Sequence, residues 1–120
     1  MNANEFVERY IAVWNEPDAR VRRARVAELW AKDGAHFTNT SETHGHDAIA
    51  ERISRAFDRF VGSGVYRFRA LNGVDAHHDT VKFYWAMVPQ DGGMASAVGS
   101  DFIVLDGEGR IRADYQFIEP

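Results

Sequence analysis

The sequence predicts an α+β fold, with three helices of the N-terminal half packed on one face of a twisted antiparallel sheet. Three observations carry this. Apolar residues recur at helical spacing in three stretches before Gly64. Nearly everything after Gly64 alternates at strand spacing. The strands are joined by short turns, whereas parallel neighbours need long crossovers, so antiparallel pairing is expected. Helices and strands segregated in this way place the helices on one face of the sheet.

Asn2 and Glu5 form a variant capping box with Asn2 as the cap. Phe6, Val7, Tyr10, Ile11 and Trp14 mark the apolar face of a first helix. Asn15-Glu16-Pro17 ends it, because proline disfavours helical geometry in the residue before it. Asp18 caps a second helix whose apolar residues are Val26, Ala27, Leu29 and Trp30, and Asp33-Gly34 stops it. Ala35–Thr38 reads as a short strand and Asn39–Gly45 as a polar loop. Ile49, Ile53, Ala56, Phe57 and Phe60 share one face of a third helix, ended by Gly62-Ser63-Gly64. Tyr66, Phe68 and Ala70 then alternate. Asn72-Gly73 is a hairpin signal, but Val74–Ala76 is too short to pair back alone. A bend is therefore expected there, with the turn at His77–Thr80. Val81, Phe83, Trp85 and Met87 share one face of the next strand. After the loop Pro89–Gly93, Met94–Leu105 is a long strand and Asp106–Gly109 a turn. Ile111, Ala113, Tyr115 and Phe117 alternate to the end.

At 120 residues the chain is expected to form one domain, residues 1–120, with a core that needs no staples. It has 8 Phe, 4 Tyr and 3 Trp, rigid side chains suited to a core or a cavity lining. The absence of cysteine removes disulfides, thiolate nucleophiles and thiolate metal sites, and fits a reducing cytoplasm. Met1–Phe6 shows no basic leader, and the longest apolar run, Phe83–Val88, is far shorter than the ~20 residues that cross a bilayer. A cytoplasmic protein without membrane attachment is expected. The net charge of −4 gives nucleic acid no overall attraction. Arg20, Arg22, Arg23 and Arg25 crowd one segment, which reads as a solvated helix face near acidic neighbours.

Asp101 is the first candidate for chemistry. It shares a strand face with Ala97, Gly99, Ile103 and Leu105, and an acid among such residues is costly to ionise if buried. Its pKa should then rise, suiting it to act as acid or base near neutral pH, and Gly99 leaves room for a ligand. If that face is instead solvated, Asp101 is an ordinary carboxylate. Tyr10 lies on the apolar face of the first helix, one turn before Trp14. Its hydroxyl needs a partner, either in the core or on a ligand. His36, His44, His46, His77 and His78 include two close pairs, but neither matches a helical metal-ligand spacing, and no metal site is expected. Gly107-Glu108-Gly109 reads as a hairpin turn, and there is no G-x-S-x-G elbow.

Arg9–Asn15, Leu29–Ala35, Gly45–Ile49 and Gly109–Ile111, in this order and spacing, resemble the nuclear transport factor 2-like superfamily. Within it the chain is similar to the SnoaL-like group of polyketide cyclases and ketosteroid isomerases, over residues 5–118. The resemblance implies a cone-shaped curved sheet wrapped around the three helices and enclosing a pocket. It puts Tyr10 and Asp101 where ketosteroid isomerases carry their oxyanion-hole tyrosine and protonated aspartic acid. It also matches Asp101 to the acid/base aspartate of the cyclases. The isomerase base falls on Asn39, whose amide takes no proton at neutral pH, so steroid isomerisation is not expected.

Three functions compete. The first is cofactor-independent proton transfer, of cyclase, isomerase or dehydratase type, on a small apolar carbonyl compound. There Asp101 is the general acid/base, Tyr10 binds the developing enolate oxygen, Asn39 orients the substrate, and Trp14, Phe37 and Trp85 are walls. The second is a non-catalytic binder with the same pocket. The third is a dimeric interaction module. A homodimer through the sheet is expected in any case, because Tyr84, Ala86 and Val88 make an apolar outer set.

Overall fold

Helix α1 spans Ala3–Asn15, and the computed structural model describes residues 2–120. Asn2 Oδ1 accepts from Glu5 N at 2.9 Å, and its amide donates back to Glu5 Oε1 at 3.1 Å. Asp18 caps α2 (Ala19–Leu29), accepting from the backbone of Arg20 and Val21. The arginine run of α2 is not wholly solvated. Arg22 is buried, donating to Glu16 O at 2.6 Å with its guanidinium 4.5 Å from the Phe57 ring centroid.

The chain leaves α2 earlier than its apolar spacing predicts. Trp30 belongs to β1 (Trp30–Phe37), where it pairs with Ile111. Strand pairing overrides local helical preference here. Gly34 sits where β1 presses on the last strand, since a Cβ there would lie 2.5 Å from Ile111 O. Glu42–His44, predicted as loop, is the short edge strand β2. It has no apolar alternation to read, because none of its residues is buried. Helix α3 (His46–Ala56) runs into a π-helical turn, Phe57–Val61, closed by Gly62 N donating to Phe57 O at 2.7 Å.

The remaining strands are β3 (Tyr66–Ala70), β4 (Asp75–His77), β5 (Thr80–Pro89), β6 (Ala97–Leu105) and β7 (Ile111–Ile118). As predicted, the chain bends at Asn72-Gly73, and the turn follows His77, with His78 at φ 52°. The sheet order is β2-β1-β7-β6-β5-β3, with β4 also on β5. Every pair is antiparallel except β1–β7. That parallel pair was not expected from the short turns. It joins strands from opposite ends of the chain, and everything between them serves as the crossover.

A bulge in β7 decides the site. Leu105 pairs with Ile111 but Val104 with Ala113, so Arg112 is an extra residue. The alternation therefore changes phase. Asp114 and Gln116 turn toward the helices, while Tyr115 and Phe117 turn outward and are 41% and 56% exposed. Simple alternation had placed Tyr115 and Phe117 with Ile111. On the helix side, Tyr10, Trp30, Ile49, Ile53, Phe83, Ile103 and Ile111 form a fully buried core, each such side chain contributing roughly 1.5–3 kcal/mol.

Candidate functional site

Tyr10 reaches from α1 to two carboxyls on neighbouring strands. Its hydroxyl lies 2.6 Å from Asp114 Oδ2 on β7 and 3.1 Å from Asp101 Oδ2 on β6. Trp85 Nε1, from β5, donates to Asp101 Oδ1 at 2.7 Å. All four side chains are buried. The space beside Asp101 that Gly99 was expected to leave for a ligand holds the Trp85 indole, which any Cβ at 99 would overlap. Asp114 Oδ1 is buried with no hydrogen-bond partner.

Burial decides the protonation. It pushes the Asp114 carboxyl well above the usual range, and the neighbouring Asp101 charge adds to this. Burial raises Asp101 too, opposed by hydrogen bonds from Asp114, Trp85 and Tyr10 and by the charge of Arg52. Tyr10 is held well above its ordinary value by burial and by both carboxyls, so it keeps its proton. Burial and the mutual repulsion of the two carboxyls thus favour the protonated form, more strongly at Asp114 than at Asp101. The Tyr10 hydroxyl is held between them as a donor.

His36, on β1, is the buried histidine of the five. Burial and the Arg52 charge lower it to about 4, so it is neutral. Its Nε2 stands 3.8 Å from Asp114 Oδ2, and with a neutral imidazole this is no ion pair. Arg52 Nε donates to His36 Nδ1 at 3.3 Å, which leaves the ring proton on Nε2 to face Gln116 Oε1 at 3.2 Å.

Above this layer lies a cavity of about 320 Å³. Tyr10, Trp14, Phe60, Phe68, Trp85 and Met87 supply its apolar walls. Thr38, Asn39, Thr40, Arg52, Arg59 and Gln116 supply its polar groups, and among the described residues no carboxylate lines it. The buried Trp14 Nε1 has no partner. The loop after β1 brings Asn39 to the rim, and the π turn brings Arg59 and Phe60. A separate cleft of about 200 Å³ between α1 and α2 holds none of these groups.

Of the residues singled out in the sequence, Tyr10, Trp14, Asn39 and Trp85 line the cavity. Asp101 sits one layer beneath, behind Tyr10 and Trp85. Phe37 is not a wall. It lies on the outer side of the sheet, stacked on Tyr115 at 4.9 Å, because neighbouring His36 takes the inward position. The outer set proposed for pairing is also different, since Ala86 is buried and Tyr84 and Val88 are half-buried in the chain itself. The exposed aromatics are Phe102, Tyr115 and Phe117. Asp114 and Arg52 were missed. The bulge hid Asp114. Arg52 was detectable, because it lies three residues after Ile49 and four before Ala56, on the apolar flank of α3.

His36, Asp101 and Asp114 bring ligand atoms within 4.8 Å of one another. The set suits a metal poorly. Trp85 and Tyr10 already bond to the carboxylate oxygens, and a guanidinium bonds the imidazole.

Three helices on a curved, open sheet around this cavity define the nuclear transport factor 2-like fold. An NTF2-like protein from Exiguobacterium sp. 255-15 shares it at 19% identity and a TM-score of 0.69, covering 95% of this chain and 98% of that one. A SnoaL-like family protein from Agrobacterium tumefaciens C58 is 31% identical, with a TM-score of 0.87, covering 97% of this chain and 96% of that chain. The chain belongs to the SnoaL-like family. A protein with a ketosteroid isomerase-like fold from Catenulispora acidiphila, solved in complex with trimethylamine, matches at 14% identity and a TM-score of 0.69 over 94% of this chain and 84% of that one. No protein-family model matches the sequence.

Proposed function

We propose that the cavity binds a small carbonyl compound and promotes proton transfer at the carbon beside the carbonyl. Tyr10, which lines the cavity while its hydroxyl touches two buried carboxyls, carries this reading. Tyr10 is the catalytic residue. In this reading Asp114 carries a proton and donates it to Tyr10 Oη when substrate binds, so that the phenol proton turns to the substrate oxygen and stabilises the enolate. Asp101, itself held by Trp85, accepts from the phenol while the cavity is empty. Asn39 orients the substrate at the rim. No side chain lining the cavity is a base at neutral pH among the described residues, so the carbon proton leaves to water at the mouth. The Agrobacterium protein is provisionally named an isomerase, which is in keeping with enolate chemistry.

Exchange of solvent deuterium into small ketones tests this. Wild type should exceed the buffer rate, and Tyr10→Phe should lose about 10²–10³ of that excess. Asp101→Asn should also lose it while remaining folded.

A second reading is a non-catalytic binder, favoured by the two oxygens of Asp101 being occupied within the protein. Binding without any exchange in the wild type selects it. The Catenulispora protein holds trimethylamine, but Arg52 and Arg59 argue against a cation here.

We also propose a homodimer through the outer sheet face. Phe37, Tyr115 and Phe102 are paired in register across β1, β7 and β6, an aromatic row that a second copy would cover.

A further inference from the structure

We propose that the ligand of this cavity carries a carboxylate, held by the guanidinium of Arg52. This rests on the pocket reading above and names its substrate class. The cavity is lined by two arginines and no acid, in a chain whose net charge is −4. Its positive character is therefore local and does not follow from a basic surface.

Arg52 is half-buried, and no carboxylate lies within ion-pair distance of it among the described residues. Its one hydrogen bond uses Nε, donated to a neutral imidazole. The two terminal nitrogens are left as an unpaired fork, the geometry that grips a carboxylate through two parallel bonds. His36 orients this fork and does not neutralise it. Its own Nε2–H is taken up by Gln116.

Apart from the arginines, Thr38, Asn39, Thr40 and Gln116, the lining is apolar and rich in aromatic rings, so the body of the acid is unsaturated or hydrocarbon. The volume of about 320 Å³ lies at the small end of ligand cavities. Arg59, exposed at the rim two turns along from Arg52, draws anions toward the mouth.

The test compares small acids with their uncharged amides: benzoate with benzamide, cinnamate with cinnamamide, hexanoate with hexanamide. Binding is followed by calorimetry and by the fluorescence of the chain's tryptophans, two of which line the cavity. At least one acid should bind about tenfold or more tightly than its amide, with the gap shrinking at high salt. Arg52→Gln should reduce that ratio to near one, and Arg52→Lys should restore part of it. Equal binding of acids and amides overturns the proposal, as does failure of every acid to bind. The wild-type ratio alone decides the matter if Arg52→Gln does not fold. Acids that bind through Arg52 without any ketone exchange would remove the catalytic reading and leave this one standing. Exchange of neutral ketones by a protein that binds no acid would do the reverse.

Discussion

The indole of Trp85 fills the space that a side chain at Gly99 would occupy, and this carries its Nε1 to Asp101 Oδ1 at 2.7 Å. Strand β6 can be crossed this closely only at a residue without a Cβ. Gly99→Ala should displace the ring, break the bond to Asp101 and cost about 1–3 kcal/mol, as overpacked cores do. Urea denaturation measures the loss and near-ultraviolet circular dichroism the ring's movement. An alanine variant as stable as the wild type would contradict this packing.

Asp114 keeps its proton to higher pH in the folded chain than in the unfolded one, where it ionises near ~3.9. Above that pH the unfolded chain loses a proton that the native chain retains, so the stability this group contributes falls as pH rises through the native pKa. Asp114→Asn removes the linkage and should gain stability relative to wild type from pH ~4 upward. Parallel stability–pH curves for the two proteins would mean that Asp114 ionises normally.

His36 has the opposite sign. Its folded pKa is lowered from 6.5 to about 4, so its contribution is present above 6.5 and is lost as pH falls through that window. The loss amounts to roughly 3 kcal/mol at most. His36→Gln should flatten the wild-type decline between those limits. Imidazole proton shifts that show His36 titrating near 6.5 would rule this out.

The aromatic row on the outer face predicts a dimer in light scattering at micromolar concentration. Phe102→Glu and Tyr115→Glu should each give monomers of unchanged secondary structure, since both side chains are about two-fifths exposed in the single chain. A monomeric wild type removes the dimer proposal.

A chelator should change neither the melting temperature nor any exchange activity, because protein groups already bond to both oxygens of Asp101, to Asp114 Oδ2 and to both ring nitrogens of His36. A midpoint lowered by chelation would mean that these residues hold a metal.

Helical and strand periods, caps and turn residues made the element order readable from the sequence alone, because each depends on neighbours a few positions away. Tyr10 and Asp101 were readable as candidates for the same reason: a polar group on an apolar face is a local anomaly. Their linkage was implied only by the family resemblance, and the part of Asp114 in it was not legible at all. Asp114 enters the site through one extra residue in β7, and a bulge shows only in the register between two paired strands. The parallel β1–β7 pair, the outward turn of Phe37 and the indole over Gly99 are likewise contacts between segments far apart in the chain. Local pattern told which faces are apolar. Only the folded sheet determined which of those faces meet, and so which two buried acids stand against one phenol and which arginines line the cavity.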